Sequence, residues 1–141
     1  MSQAPPRASL THIALRVKDL EASIAFYRLY AGLRAVHDRT DDETRVVWLA
    51  EVEEDPAFVI VLMGMPADAQ QSVRPVDHLG FAVGSRAEVD RLGALGKEDG
   101  TLVLAPVEYG GVVGYLCEVS DPDGNVCEFS YGQPINPRHL P

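Results

Sequence analysis

Residues 11–20 read Thr-His-Ile-Ala-Leu-Arg-Val-Lys-Asp-Leu, and residues 77–86 read Asp-His-Leu-Gly-Phe-Ala-Val-Gly-Ser-Arg. In both stretches the second residue is a histidine, alternating side chains follow, and a polar residue suited to start a helix, Asp19 or Ser85, stands second to last. His12 and His78 lie 66 positions apart, which is about half of the 141-residue chain. A repeat of this period indicates two related structural modules.

Each module is predicted to begin with a strand whose histidine points away from the apolar side. Successive side chains of a strand alternate between faces, so His12 lies opposite Leu15 and His78 lies opposite Phe81. Three further strand candidates follow in each module: 34–39, 45–52, 58–63, 101–108, 115–120 and 125–131. The chain therefore reads as a βαβββ unit that occurs twice.

Helix signals follow each opening strand. Asp19 is a suitable N-cap for a first helix that ends at Gly32. Ser85 and Glu88 form a capping box for a second helix, which is predicted to end near Gly96. These signals give an α+β chain with a first module at 8–64, a linker at 65–75, a second module at 76–133 and a tail at 134–141.

The segment Asp121-Pro122-Asp123-Gly124 is a strong hairpin signal before the last strand. Proline presets one turn dihedral, and glycine tolerates a positive one. Alternation puts Glu128 on the strand face away from the helices. If Pro122 and Asp123 form the centre of the turn, Cys117 faces Glu128 across the hairpin.

Composition excludes several classes of protein. Hydrophobic residues make up 46% of the chain, enough to bury a core, and the net charge is −9 with a pI near 4.7. An acidic surface repels phosphates, so nucleic acid and anionic membranes are not expected partners. There is no apolar run long enough to span a membrane. With two cysteines and no signal segment, a cytoplasmic location is expected.

His12, His78 and Glu128 are the candidate metal ligands, because all three lie on strand faces turned away from the helices. Two imidazoles and a carboxylate suit Fe(II), Mn(II), Zn(II), Ni(II) or Co(II). Three protein ligands leave positions open for water or substrate. The alternative is that both histidines are strand residues bonded to the backbone, but their recurrence in both halves favours metal binding.

Four segments of the chain resemble the vicinal oxygen chelate superfamily, which includes glyoxalase I, extradiol dioxygenases, fosfomycin-resistance enzymes and bleomycin-resistance proteins. The segments that carry the resemblance are 10–17, 19–33, 76–83 and 121–129. The resemblance implies two βαβββ modules with curled mixed sheets around a shared cavity. It also implies a homodimer whose site is completed within one chain or across a swapped pair.

The same resemblance implies metal ligands on the first and last strand of each module. His12, His78 and Glu128 match three of these places, and the fourth falls at Val61 or a neighbour, with no side chain that can bind a metal. Glyoxalase I uses four ligands, two of them carboxylates, so Val61 disfavours that reaction. The remaining triad is similar to that of extradiol dioxygenases and of manganese enzymes that open fosfomycin.

Four further residues are candidate substrate contacts: Arg16 as a basic group facing the cavity, Trp48 as a stacking surface, Tyr115, and Cys117 beside Glu128. For Trp48 and Cys117, ordinary core packing is the alternative. The function expected is a metal-dependent enzyme acting on a small oxygen-rich substrate, with dioxygenase-like or glyoxalase-like chemistry of the oxidoreductase, lyase or isomerase classes. Glu128 would be its catalytic ligand. The other class is a bleomycin-resistance type of protein that sequesters a small molecule without chemistry.

Overall fold

The structure is a computed structural model and describes residues 12–66, 76, 78–111 and 113–133, without the side chain of His12. The predicted tail, and all of the predicted linker except residues 65 and 66, lie outside these ranges. The elements follow in the order β1 (His12–Val17), α1 (Leu20–Ala31), β2 (Arg34–Asp41), β3 (Thr44–Ala50), β4 (Val59–Gly64), β5 (Leu79–Ala82), α2 (Arg86–Asp99), β6 (Leu102–Glu108), β7 (Tyr115–Ser120) and β8 (Val126–Tyr131). The repeated βαβββ order is confirmed.

The strands form two separate four-stranded mixed sheets. The first sheet has the order β1-β4-β3-β2 and the second has the order β5-β8-β7-β6. In each sheet the opening strand lies at an edge and pairs in parallel with the last strand of its module, while the other pairs are antiparallel. Neither sheet is closed, and the architecture is the α+β arrangement that the sequence predicts.

Helix α1 begins and ends where its capping residues predict. The Asp19 side chain accepts the backbone N–H of Ala22 at 3.0 Å, and Gly32 ends the helix in the left-handed conformation with φ 67°. A side chain is strained at that φ, which is why glycine stands there. No helix in the described part of the chain is long and apolar enough to cross a membrane.

The buried side of α1 joins the two modules. Its Tyr27 ring lies 6.3 Å from that of Phe81 on β5, and its Tyr30 ring lies 6.2 Å from that of Phe129 on β8. The apolar strand residues of both sheets belong with these side chains to one buried cluster. The helix-facing sides of both sheets therefore share a core, and the other face of each sheet is called here its outer face.

The predicted end of α2 near Gly96 is wrong, because the helix continues to Asp99 and Gly100 caps it. Gly93 and Gly96 instead lie against the second sheet. A Cβ atom at Gly93 would come within 2.7 Å of the Pro106 ring, and at Gly96 within 3.1 Å of the Val119 side chain. These two glycines allow the helix to approach the sheet closely and do not end it.

The hairpin between β7 and β8 has a longer turn than predicted. Ser120 pairs with Val126, so residues 121–125 form the connection, and Gly124 supplies the positive φ of 84°. A turn centred on Pro122 and Asp123 would pair the strands one residue differently. Because side chains alternate, that one residue decides which of them face the same way.

Candidate metal centre

The structure places the three predicted ligands on three different elements. His12 begins β1 opposite Val59, and its side chain lies outside what the structure describes. His78 immediately precedes β5 and is exposed. Glu128 is the third residue of β8 and only 7% exposed.

The Glu128 carboxylate lies beside the backbone of Gly80 on β5, its partner in the sheet. A Cβ atom built on Gly80 would lie 3.7 Å from the Glu128 Oε2 atom. Among the described residues, no group donates a hydrogen bond to this carboxylate and no cation pairs with it. No buried side-chain oxygen in the described residues lacks a partner, so the Glu128 carboxylate oxygens are accessible and open to a cation.

The strand register confirms that Val61 stands at the place of Glu128 in the first module. Ala14 on β1 pairs with Val61 on β4, just as Gly80 on β5 pairs with Glu128 on β8. The two modules therefore match position by position, and the first one lacks the carboxylate.

His78 borders a cavity that is lined by residues of both modules. The cavity has a volume of about 560 Å³, and Ile13, Leu49 and Ile60 of the first module line it together with His78 and Gly80 of the second. Its wall is mainly apolar, as is usual for ligand cavities.

The described residues contain no ready-made metal cluster within one chain: no three of their His, Cys, Asp and Glu side chains lie close enough to hold an ion together. Strands β1 and β5, which carry or adjoin the two histidines, are both edge strands and are not hydrogen-bonded to each other. Within the described residues, each therefore offers an unpaired edge.

Trp48 and Arg16 lie on the outer face of the first sheet, with Val61. Trp48 pairs with Val61 on one side and with His37 on the other, and its ring centroid is 4.8 Å from that of His37. The guanidinium carbon of Arg39 lies 5.5 Å from the indole centroid. This half-buried indole is an aromatic surface bordered by the Arg39 guanidinium.

The expectation that Cys117 faces Glu128 is wrong. Cys117 pairs with Phe129 and turns toward α2, where its thiol donates to the carbonyl of Val89 at 3.6 Å. Burial raises the pKa of this thiol to about 11, so it is an unreactive core residue. The one-residue change in the hairpin register explains the difference.

Tyr115 lies on the same helix-facing side as Cys117 and so points away from Glu128. Its hydroxyl donates to Asp90 of α2, and this hydrogen bond raises the pKa of Tyr115. The Arg86 guanidinium lies 4.0 Å from the ring centroid. Tyr115 therefore anchors α2 to the sheet, and its expected place beside the substrate is corrected.

Glu118 occupies the place opposite Glu128 that the sequence analysis gave to Cys117. The observed register pairs it directly with Glu128, on the outer face of the second sheet. The sequence carries no signal for this pairing, because only a five-residue connection brings position 118, and not 117, opposite position 128, and the sequence does not decide that length.

Comparisons with known proteins agree with this architecture. The model of the "Glyoxalase/Bleomycin resistance protein/Dioxygenase superfamily" matches residues 9–129. The chain is 44% identical over 131 residues to "Uncharacterized protein PA2024" of Pseudomonas aeruginosa, covering 92% of each chain.

Solved structures show the same fold. A glyoxylase/bleomycin resistance protein/dioxygenase domain from Frankia matches with TM-score 0.70 and 24% identity, over 90% of this chain and 99% of that one. The trypanothione-dependent glyoxalase I of Leishmania major matches with TM-score 0.67 and 23% identity, over 89% of this chain and 87% of that one. The fosfomycin resistance protein FosX of Listeria monocytogenes matches with TM-score 0.65 and 23% identity, over 89% of this chain and 93% of that one. That structure is of a mutant with Mn(II) and a dihydroxypropylphosphonic acid bound. The chain belongs to the glyoxalase/bleomycin resistance protein/dioxygenase superfamily.

Proposed function

We propose that the protein is a metal-dependent enzyme in which His12, His78 and Glu128 bind one divalent ion and a small oxygen-rich substrate binds to that ion. The observation that carries this proposal is the place of Glu128, a residue only 7% exposed that accepts no hydrogen bond from the described residues and lies beside Gly80 on the strand that follows His78. When bound, the metal would supply Lewis acidity to two neighbouring substrate oxygens. Fe(II), Mn(II), Zn(II), Ni(II) and Co(II) all suit the donor set.

Two solved relatives support a metal role and narrow the chemistry. FosX is solved with Mn(II) and a dihydroxylated phosphonic acid, a substrate-sized molecule with vicinal oxygens. The glyoxalase I of Leishmania major is the other solved relative, and it has the same fold. Because Val61 replaces a carboxylate here, we propose chemistry closer to ring opening or dioxygenation than to the glyoxalase isomerisation.

The metal site is proposed to form between two chains of a homodimer, with β1 of one chain beside β5 of its partner. The edges of both strands, which no other described strand pairs with, support this arrangement. Covering such edges also removes unpaired backbone groups from solvent.

Mixing two defective variants tests the shared site. His12→Ala alone and Glu128→Gln alone should each bind no Mn(II), since each removes a ligand from both sites of its homodimer. After mixed refolding, heterodimers should regain one intact site, so that Mn(II) binding returns. If each site lies within one chain, mixing restores nothing.

Trp48 and Arg16 are proposed to contact the substrate. They share the outer face with Val61, and the indole ring of Trp48 lies beside His37 and under the Arg39 guanidinium. A planar group would stack on the indole, and a negative charge would be drawn to the arginines. The favoured substrate is therefore a planar or anionic molecule with adjacent oxygens.

Because Trp48 is the only tryptophan in the chain, its fluorescence reports on ligand binding at this face. Acetohydroxamate is a suitable probe, since it offers two adjacent oxygens to a metal. We expect it to change the emission of the Mn(II)-loaded protein and to leave that of the metal-free protein and of the Glu128→Gln variant unchanged. Equal responses with and without Mn(II) would contradict the proposal.

Sequestration without chemistry is the second candidate, and the combination of Val61 with the aromatic surface around Trp48 favours it. A protein of this kind would bind planar ligands without metal. A catechol that quenches Trp48 equally in metal-free and Mn(II)-loaded protein, and that is recovered unchanged, would select this candidate.

A further inference from the structure

We propose that the cavity between the two modules is a second ligand site, which takes a small cation with an apolar body, such as an alkyl amine. The cavity lies where the shared core meets residues 51–58, called here the 51–58 loop, which connect β3 to β4. Glu128 lies on the outer face and does not line this cavity. The inference therefore does not depend on the proposed metal centre.

Core side chains form the inner wall of this cavity. Leu33, Leu49 and Ile60 of the first module line it, as do Leu79 and Phe81 of the second, and all five belong to the shared core. The volume of about 560 Å³ lies in the range of small-molecule sites, which is roughly 300–1,000 Å³. No arginine or lysine is among the described residues that line the cavity. The wall therefore suits an apolar group and has no such side chain to attract an anion.

The 51–58 loop leaves two apolar side chains in solvent beside the cavity. Val52 is 50% exposed and Phe58 is 40% exposed, and both line the cavity. Removing apolar surface from water is favourable. An apolar ligand body that extends from the core wall to Val52 and Phe58 would cover both side chains, so the loop and the core together favour one apolar occupant.

Two carboxylates give the rim of the cavity a single sign of charge. Glu51 and Asp55 line the cavity and are exposed, and neither has an ion pair or a side-chain hydrogen bond with another described residue. Glu53 of the same loop differs, because it pairs with Arg34 at 3.3 Å. Rim charges select ligands by charge complementarity. A negative rim above an apolar wall therefore fits an amphipathic cation.

Calorimetric titration of the purified full-length protein with two probes of the same shape tests this inference. 1-Adamantanemethylamine is a cation with a globular apolar body, and 1-adamantanemethanol is its neutral counterpart. Neither is planar, so neither stacks on Trp48. We expect the amine to bind about 4- to 25-fold more tightly than the alcohol at low salt, because each of the two rim carboxylates should contribute roughly a two- to fivefold gain. Added salt should reduce this preference.

The double variant Glu51→Gln/Asp55→Asn should bind the amine and the alcohol with equal affinity, and its affinity for the alcohol should match that of wild type. Glu54→Gln is the matched control, because Glu54 is an exposed carboxylate of the same loop that does not line the cavity. Its preference for the amine should stay within about twofold of wild type. Glu128→Gln should bind the amine as wild type does, since the metal centre takes no part.

Ala57→Trp tests where the probes bind. Ala57 is an exposed residue that lines the cavity, so a large side chain there should abolish binding of both probes, and thermal unfolding shows that the variant folds. Wild-type protein that binds neither probe, or both equally, would overturn the proposal, as would an unchanged preference in the double variant or lost amine binding in Glu128→Gln. Sedimentation that shows Ala57→Trp converting dimers to monomers would mean that a second copy of the chain occupies the cavity, and this would overturn it too.

Discussion

Tyr27 ties the first helix to the hairpin that carries Glu128. Its hydroxyl donates to the buried Asp121 carboxylate at 2.8 Å, and the Cys127 thiol donates to the same hydroxyl at 3.8 Å. Asp121 also accepts the backbone N–H groups of Asp123 and Asn125, which shapes the turn. Burial, followed by the charge of its neighbours, raises the pKa of Tyr27, so the phenol stays a neutral donor.

Replacing Tyr27 by Phe should lower the free energy of unfolding by about 1–3 kcal/mol, because a buried carboxylate loses a donor. Tyr30→Phe is the control: its hydroxyl donates to Asp99 at 2.6 Å in a partly buried place, and its loss should cost only about 0.5–1.5 kcal/mol. Urea unfolding measures both. A smaller loss in Tyr27→Phe than in Tyr30→Phe would contradict this assignment.

The buried thiols should make stability fall at alkaline pH. Burial raises the pKa of Cys127 to about 12 and that of Cys117 to about 11, whereas a thiol in the unfolded chain titrates near 8.5. Their contribution is therefore complete below about pH 8.5 and is lost as the pH rises toward the folded values. Above pH 8.5 each thiol should lower the free energy of unfolding by about 1.4 kcal/mol per pH unit.

Urea unfolding at pH 7.5, 8.5 and 9.5 measures this slope. Cys127→Ala should show a shallower decline than wild type between pH 8.5 and 9.5, because one titrating thiol is gone. Identical slopes in the two proteins would rule out a contribution from Cys127.

At the scale of elements, helix starts were easier to predict than close packing. Asp19 and Ser85 act locally, through bonds to the N–H groups of Ala22 and Glu88, so their residue types suffice to predict the caps. Gly96 has no such local signature. Glycine is needed at position 96 because α2 lies close to the second sheet, and that distance depends on strands that come later in the chain.

Glycine-to-alanine changes in α2 should separate packing from helix propensity. Gly93→Ala places a methyl group against the Pro106 ring and should lower the free energy of unfolding by about 1–3 kcal/mol, despite the helical gain of about 1 kcal/mol. Gly96→Ala meets Val119 at a longer distance and should cost less. Gly84→Ala is the control, since nothing lies near its Cβ position. Thermal unfolding ranks the three, and Gly93→Ala as stable as Gly84→Ala would contradict the close packing.

The hairpin before β8 shows where pattern reasoning stops. The sequence predicts the turn, and alternation correctly puts Glu128 on the outer face. It does not decide between a four-residue and a five-residue connection, because hydrogen bonds to the Asp121 carboxylate set that length. A connection that is one residue longer places Glu118, and not Cys117, opposite Glu128.

At the scale of the whole molecule, the repeat determines what can be predicted. Matching positions in two halves predict two modules and a shared fold, and the register confirms the equivalence of Val61 and Glu128. The shared core beneath α1 could not be predicted, since it depends on long-range contacts such as those of Tyr27 and Tyr30 with the second module. The proposed pairing of β1 with β5 of a second chain could not be predicted either, because it depends on contacts between chains.

Metal content is the most direct measure of the central claim. Full-length protein is loaded with Mn(II), dialysed against metal-free buffer and analysed for metal beside His78→Ala, Glu128→Gln and the control His37→Ala, whose ring packs on Trp48. We predict about one ion per chain for wild type and His37→Ala, and almost none for the other two. Wild-type protein without metal, or His78→Ala protein with as much metal as wild type, would contradict the account.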